Sequence, residues 1–117
     1  MPTDEQWEAA ARGKTGRIFP WGEENPDEYR ANYANIVGAP TSVGLFPDGD
    51  TPEGVADMAG NVWEWTQSDF DKEGNKSVRG ASFDDDATDL RAADRDRYGP
   101  DSWVYNLGFR CVREVIP

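Results

Sequence analysis

Between Gly13 and Gly60 the chain keeps neither a helical nor a strand period for more than a few residues, and Pro40, Pro47, Gly49, Pro52 and Gly54 punctuate its second half. A stretch this irregular has no ladder to pair its backbone groups, so turns, side chains or a bound ion must do it. The fold is therefore mostly loop, held on a small regular frame. Composition explains how such a chain folds at all. It is only 37% hydrophobic and 30% charged, but five Trp, four Tyr and five Phe bury a large area per residue, and 12 Gly and 8 Pro supply turns. At 117 residues there is chain for one domain with one core.

Regular elements are expected in four places. Pro2 to Gly13 reads as a short helix: Thr3 and Gln6 form a capping box, Asp4 and Glu5 suit the positive end of the dipole, Trp7, Ala10 and Ala11 share a face, and Gly13 is a left-handed stop. Asn61 to Thr66 alternates with period two, so that Trp63 and Trp65 face a core. Ser77 to Phe83 is a second strand, and Leu107 to Arg113 a last one with Leu107, Phe109 and Cys111 on one side, which makes Cys111 a small buried residue. Ala34 to Val37 is a candidate short strand. Together these predict an α+β fold in which a small antiparallel sheet is flanked by a helix.

Charge and missing residue types exclude whole classes of function. Twelve Lys and Arg against 23 Asp and Glu leave a net charge of -11, which argues against nucleic acid and anionic membrane surfaces as partners. No histidine is present, so Cys/His zinc sites and Ser-His or Cys-His catalytic pairs cannot be built from this chain. Cys111 is the single thiol, so the chain has no internal disulfide. No apolar run approaches the about 20 residues of a membrane span, and membrane insertion is not expected.

Residues 84–105 stand apart. Seven Asp fall in 22 positions, interleaved with Arg91, Arg95 and Arg97 and ending in Ser102-Trp103-Val104-Tyr105. Asp favours neither helix interiors nor strands, so a loop-dominated surface is expected. One reading is a solvated acidic face. The other is a binding face, because Trp and Tyr set among Ser, Gly and Asp are rigid anchors surrounded by adaptable polar groups.

Six blocks carry a resemblance along nearly the whole chain: Pro2 to Gly13, Phe19-Pro20-Trp21-Gly22, Ala34-Asn35-Ile36, Asp57 to Thr66, Val78 to Phe83 and Asn106 to Val112. In order and content they resemble the formylglycine-generating-enzyme-like (sulfatase-modifying factor) domain. The resemblance implies a C-type-lectin-like fold, with a small twisted antiparallel sheet, one or two helices and long irregular loops, over 1–117. It also implies a strand and a further helix ahead of the first helix. The sequence opens at that helix, which leaves three readings: a minimal domain, a sheet edge completed by another chain as an oligomer or N-terminal partner segment, or an upstream part missing from this sequence; an exposed edge makes oligomerisation an expectation.

Two kinds of function are implied. The family's oxidases resemble copper enzymes that need a pair of thiolates. The matching stretch, Asp84 to Leu90, has no Cys, so no copper is expected and the chain is read as a non-enzyme. The second kind is the variable protein of diversity-generating retroelements, whose C-terminal repeat is similar to residues 79–112. There, miscopied template adenines turn AAC codons into codons for other residues. Asp84, Asp85, Asp86, Thr88, Asp89, Asp94, Asp96, Tyr98, Asp101, Ser102, Val104 and Tyr105 are all reachable in this way, while Trp103 needs a different template codon. These thirteen residues form the expected face for a protein or glycan ligand, on a cell or virus surface if the chain is a receptor of that type. Arg91, Arg95 and Arg110 would belong to the frame, with Trp63, Trp65, Phe83, Leu107 and Phe109. The alternative is a non-catalytic structural or regulatory member of the family, with oxidase third. By position, a structural calcium ion would take carboxylates from Asp57 and Glu64 and carbonyls from Gly60 and Val62.

Overall fold

Thr3 starts the first helix by accepting from the Gln6 amide at 3.1 Å while the Gln6 side chain accepts from the Thr3 amide at 2.9 Å. The resulting α1 spans Asp4–Arg12 and ends where Gly13, at φ 63°, donates back to the Ala9 carbonyl. The structure is a computed structural model that describes residues 1–113. Positions 114–117 of the expected domain lie outside the described residues. Four strands follow: β1 over Trp63–Asp69, β2 over Lys76–Arg79, β3 over Arg95–Tyr98 and β4 over Leu107–Gly108, in the spatial order β3-β2-β1-β4. Short 3-10 helices occupy Pro47–Gly49 and Ala87–Leu90.

Period two in β1 and β2 buries both faces of the sheet. Trp63, Trp65 and Val78 point into a cluster with Phe19, Ala31, Ala59, Ala81 and Leu90, against which Trp21, Tyr33, Tyr98 and Leu107 pack. Glu64, Thr66, Ser77 and Arg79 point the other way, under α1. There Trp7 and Ala11 pack with Met58 and Ala92. Burying Trp7 and Trp63 contributes about 3 kcal/mol each.

The helix-side face is polar, and α1 satisfies it. Arg79 is fully buried and donates to Asp4 at 3.1 Å, to Glu8 at 2.5 Å and to the Ala92 carbonyl at 3.0 Å, with its guanidinium over the Trp7 ring. Asp4 also accepts from Ser77 at 2.6 Å and from Arg95 at 2.9 Å. The Trp7 indole donates to Glu64 at 3.0 Å. An amphipathic helix lacking Asp4 and Glu8 would leave Arg79 as an unpaired buried charge.

Several expectations are corrected. The sheet is mixed, because β4 runs parallel to β1, pairing Leu107 with Trp63 and Gly108 with Glu64. Alternation carries no direction, so the sequence could not distinguish the two pairings. β4 also stops at Gly108, leaving Phe109 68% exposed and Cys111 exposed, where both were expected on a buried face. Trp65 is half-buried rather than fully so, and Ala10 faces solvent. Residues 34–37 are not a strand. Ala34 and Asn35 take φ 54° and 56°, and their amides donate to the carbonyls of Asp85 and Phe83. Conversely β3 arises inside the stretch read as loop. Its weak intrinsic preference is overridden by pairing with all four residues of β2 and by Arg95 and Arg97 stacking on Phe70 at 4.7 and 5.5 Å.

Candidate functional site

The calcium set does come together. Asp57, Gly60, Val62 and Glu64 line a cavity of about 320 Å³ with Phe109 and Arg110. A cation already occupies its acidic end, and it is a guanidinium. Arg110 donates to both oxygens of Glu64, at 2.5 and 2.9 Å, and to the Asp57 carbonyl at 3.0 Å. The Asp57 carboxylate accepts from the Gly44 amide at 2.7 Å. Glu64 is 4% exposed, and burial pushes its pKa up despite the Arg110 bonds that pull it down. So arranged, these residues do not fit a calcium ion: both oxygens of the buried carboxylate already accept from Arg110, and the metal would lie against that guanidinium's positive charge. Among the described residues no cluster of three metal-ligating side chains forms elsewhere.

The adjoining motif residues hold loops together. Gly60 sits at φ 79°, with the position of a side-chain carbon only 2.4 Å from the Asn32 carbonyl, so only glycine fits. Asn61 is buried at φ 72°. Its amide donates to the Asn32 carbonyl, its carbonyl accepts from Phe83, and its side chain pairs with Asn32 and with the Thr41 backbone. It thus ties three loop segments to the start of β1.

The second candidate site is the face built from β3, the 84–90 segment and the loop 99–106. Ser82 organises it. Its amide donates to Asp85 at 2.8 Å, and its hydroxyl lies 2.6 Å from Asp84 and 2.7 Å from Asp85. Tyr105 donates to Asp84 at 3.0 Å and packs edge-on against Phe83 with centroids 5.8 Å apart. The hydrogen bond from Ser82 holds the Asp84 pKa below the usual carboxylate range, and the bonded Asp84 holds the Tyr105 phenol above its own. Tyr98 packs edge-on against Trp65 at 6.4 Å, and burial, then the charges of Asp96, Asp85 and Asp84, raise its pKa. Asp84, Asp85, Asp96, Tyr98 and Tyr105 are therefore neighbours. Asn106 joins them, donating to Ser82 at 3.3 Å. Neither Ser82 nor Asn106 was singled out from the sequence; both stood only inside the motif blocks.

The other expected positions divide. Trp103 is 92% exposed and Tyr105 71%, while Val104 is more covered. Asp101 is exposed and Ser102 half-buried. Asp86 caps the 3-10 helix, accepting from the Thr88 amide and hydroxyl, so these two serve each other. Asp89 lies beside them, its pKa raised by burial and then by Asp85 and Asp86. Asp94 turns away to pair with Arg91 at 2.9 Å. The frame arginines behave as the resemblance implied: Arg91 also bonds the Thr88 carbonyl, Arg95 pairs with Asp4, and Arg110 with Glu64. On β3, Arg95 and Arg97 face α1 and Phe70, while Asp96 and Tyr98 face the other side.

Known proteins agree with this architecture. The chain is 37% identical over 138 aligned residues to the inactive C-alpha-formylglycine-generating enzyme 2 of Mus musculus, covering 96% of this chain and 42% of that protein. The formylglycine-generating enzyme of Mus musculus is 30% identical, over 100% of this chain and 40% of its own. Among solved structures, variable protein 1 of Treponema denticola superposes with a TM-score of 0.76 at 25% identity, covering 93% of this chain and 45% of that one. The chain thus spans less than half the length of each. Fold and motifs converge with a match to the sulfatase-modifying factor enzyme 1-like domain over residues 1–115, and the chain belongs to that family.

Proposed function

We propose that the chain is a non-enzymatic ligand-binding domain, a variable protein of the diversity-generating retroelement type that meets a protein or glycan target through residues 84–105. One observation carries this reading: Trp103 and Tyr105 stand in solvent on a loop anchored where Tyr105 packs on buried Phe83 and the Asn106 carbonyl accepts from the amide of buried Trp63. A domain without a partner has little reason to display large aromatics on its surface. The fold shared with the Treponema denticola variable protein supports it, as does the exposed single cysteine, which cannot supply a pair of thiolates. The second reading, a non-catalytic structural or regulatory member of the family, is favoured by the likeness to a relative named as inactive.

The test is the double substitution Trp103→Ala with Tyr105→Ala. Binding to a target selected on the native domain should be lost, while stability changes by no more than about 0.5 kcal/mol, as for other surface positions. Retained binding places the contact elsewhere. A near-identical DNA repeat differing only at adenines, beside a reverse-transcriptase gene, would separate the first reading from the second.

A further inference from the structure

The stretch 84–101 alternates acids with arginines, so in sequence its charge looks partly compensated. In three dimensions it is not. β3 sends Arg95 and Arg97 through the sheet to the helix side, where they meet Asp4 at 2.9 Å, Asp71 at 4.0 Å and the ring of Phe70. Arg91 is spent on Asp94. Asp84, Asp85, Asp86, Asp89, Asp96 and Asp101 are left, and among the described residues none has an ion-pair partner. Asp84, Asp85 and Asp96 neighbour Tyr98, Asp84 bonds Tyr105, and Asp101 stands exposed two residues before Trp103.

We propose that the partner of this face is a basic polypeptide surface, engaged through lysine or arginine side chains that lie against the Tyr98, Trp103 and Tyr105 rings and end on Asp84, Asp85, Asp96 and Asp101. The proposal rests on the binding-face reading above and names its target class. An aromatic face attracts a cation most when a carboxylate stands beside it, whereas a neutral glycan offers hydroxyl donors but no positive charge to offset the desolvation of these carboxylates. Complementary charge also speeds encounter and rejects acidic partners.

The test uses three probes on the whole chain: a short fluorescent peptide of alternating lysine and glycine, its glutamate counterpart, and mannan. The lysine peptide should bind saturably, less tightly as salt rises from about 50 to about 300 mM, and the glutamate peptide should not bind. Asp84→Asn with Asp85→Asn should weaken binding about tenfold, and so should Asp96→Asn with Asp101→Asn, which touches no bond to Ser82. Trp103→Ala with Tyr105→Ala should weaken it at least as much. An equal charge change in the cleft beside α1, Glu5→Gln with Asp69→Asn, should alter it less than about twofold. No saturable binding of the lysine peptide, or equal weakening by the cleft pair, overturns the proposal. Binding of mannan that is lost with Trp103 and Tyr105 overturns it while leaving the face reading intact. If probes bind and the Trp103 and Tyr105 substitutions change nothing, both readings fall.

Discussion

Gly60 and Asn61 show what the most recognisable block of the sequence does. Both hold loops together. Gly60 lets the Asn32 carbonyl approach to a distance no side chain tolerates, and Asn61 spends its backbone and side-chain groups on three loop segments. Gly60→Ala should cost about 2–3 kcal/mol in chemical denaturation, from a left-handed φ plus the clash. Gly74 is the control: its φ is 91°, but nothing lies within 4 Å of an added side chain, so Gly74→Ala should cost about 1 kcal/mol. Equal losses would mean that crowding at Asn32 contributes nothing. The motif letters were legible, and so was the place of Arg110 among the residues that hold the frame. The role of Ser82 was not, because a hydroxyl that gathers two carboxylates leaves no periodic trace and looks like any loop serine.

Among the elements, α1 was the most legible because its signals are local: cap, first-turn acids, apolar face and terminal glycine lie within eleven residues of one another. β3 and the direction of β4 were not legible, since both depend on partners distant in the chain. β3 consists of Arg-Asp-Arg-Tyr and owes its extended form to β2 and to Phe70. The polar face that α1 covers gives that helix a pH dependence. Burial raises the Glu8 pKa, but hydrogen bonds from Arg79 and Arg12 outweigh it and hold the group below its ordinary 4.5. Glu8 therefore stabilises the fold above its unfolded value and stops doing so as pH falls through its folded one. Melting the native chain and Glu8→Gln side by side should show their stability difference fully developed near neutrality and closing below about pH 4.5. A difference independent of pH would mean that the charge of Glu8 is not what holds Arg79.

At the scale of the whole molecule the C-type-lectin-like plan followed from the blocks and their order, whereas the balance of charge over the surface did not, because it depends on which side of the sheet each residue takes. The same reasoning separates the cavity beside Glu64 from a metal site. With Arg110 on both oxygens of Glu64, thermal melts with and without a calcium chelator should share one midpoint. A lower midpoint in chelator would show that the guanidinium gives way to an ion. Arg79, Arg95 and Arg110 draw their counter-charges from Asp4, Glu8 and Glu64, none of which lies in the stretch 84–105. A carboxylate exchanged at position 96 or 101 therefore strands no guanidinium on the far side of the sheet. Seven of the 23 acids lie in this stretch, so the acidity of this face, though not that of the whole chain, is replaceable, and proteins built on the same frame should differ in isoelectric point at nearly constant melting temperature.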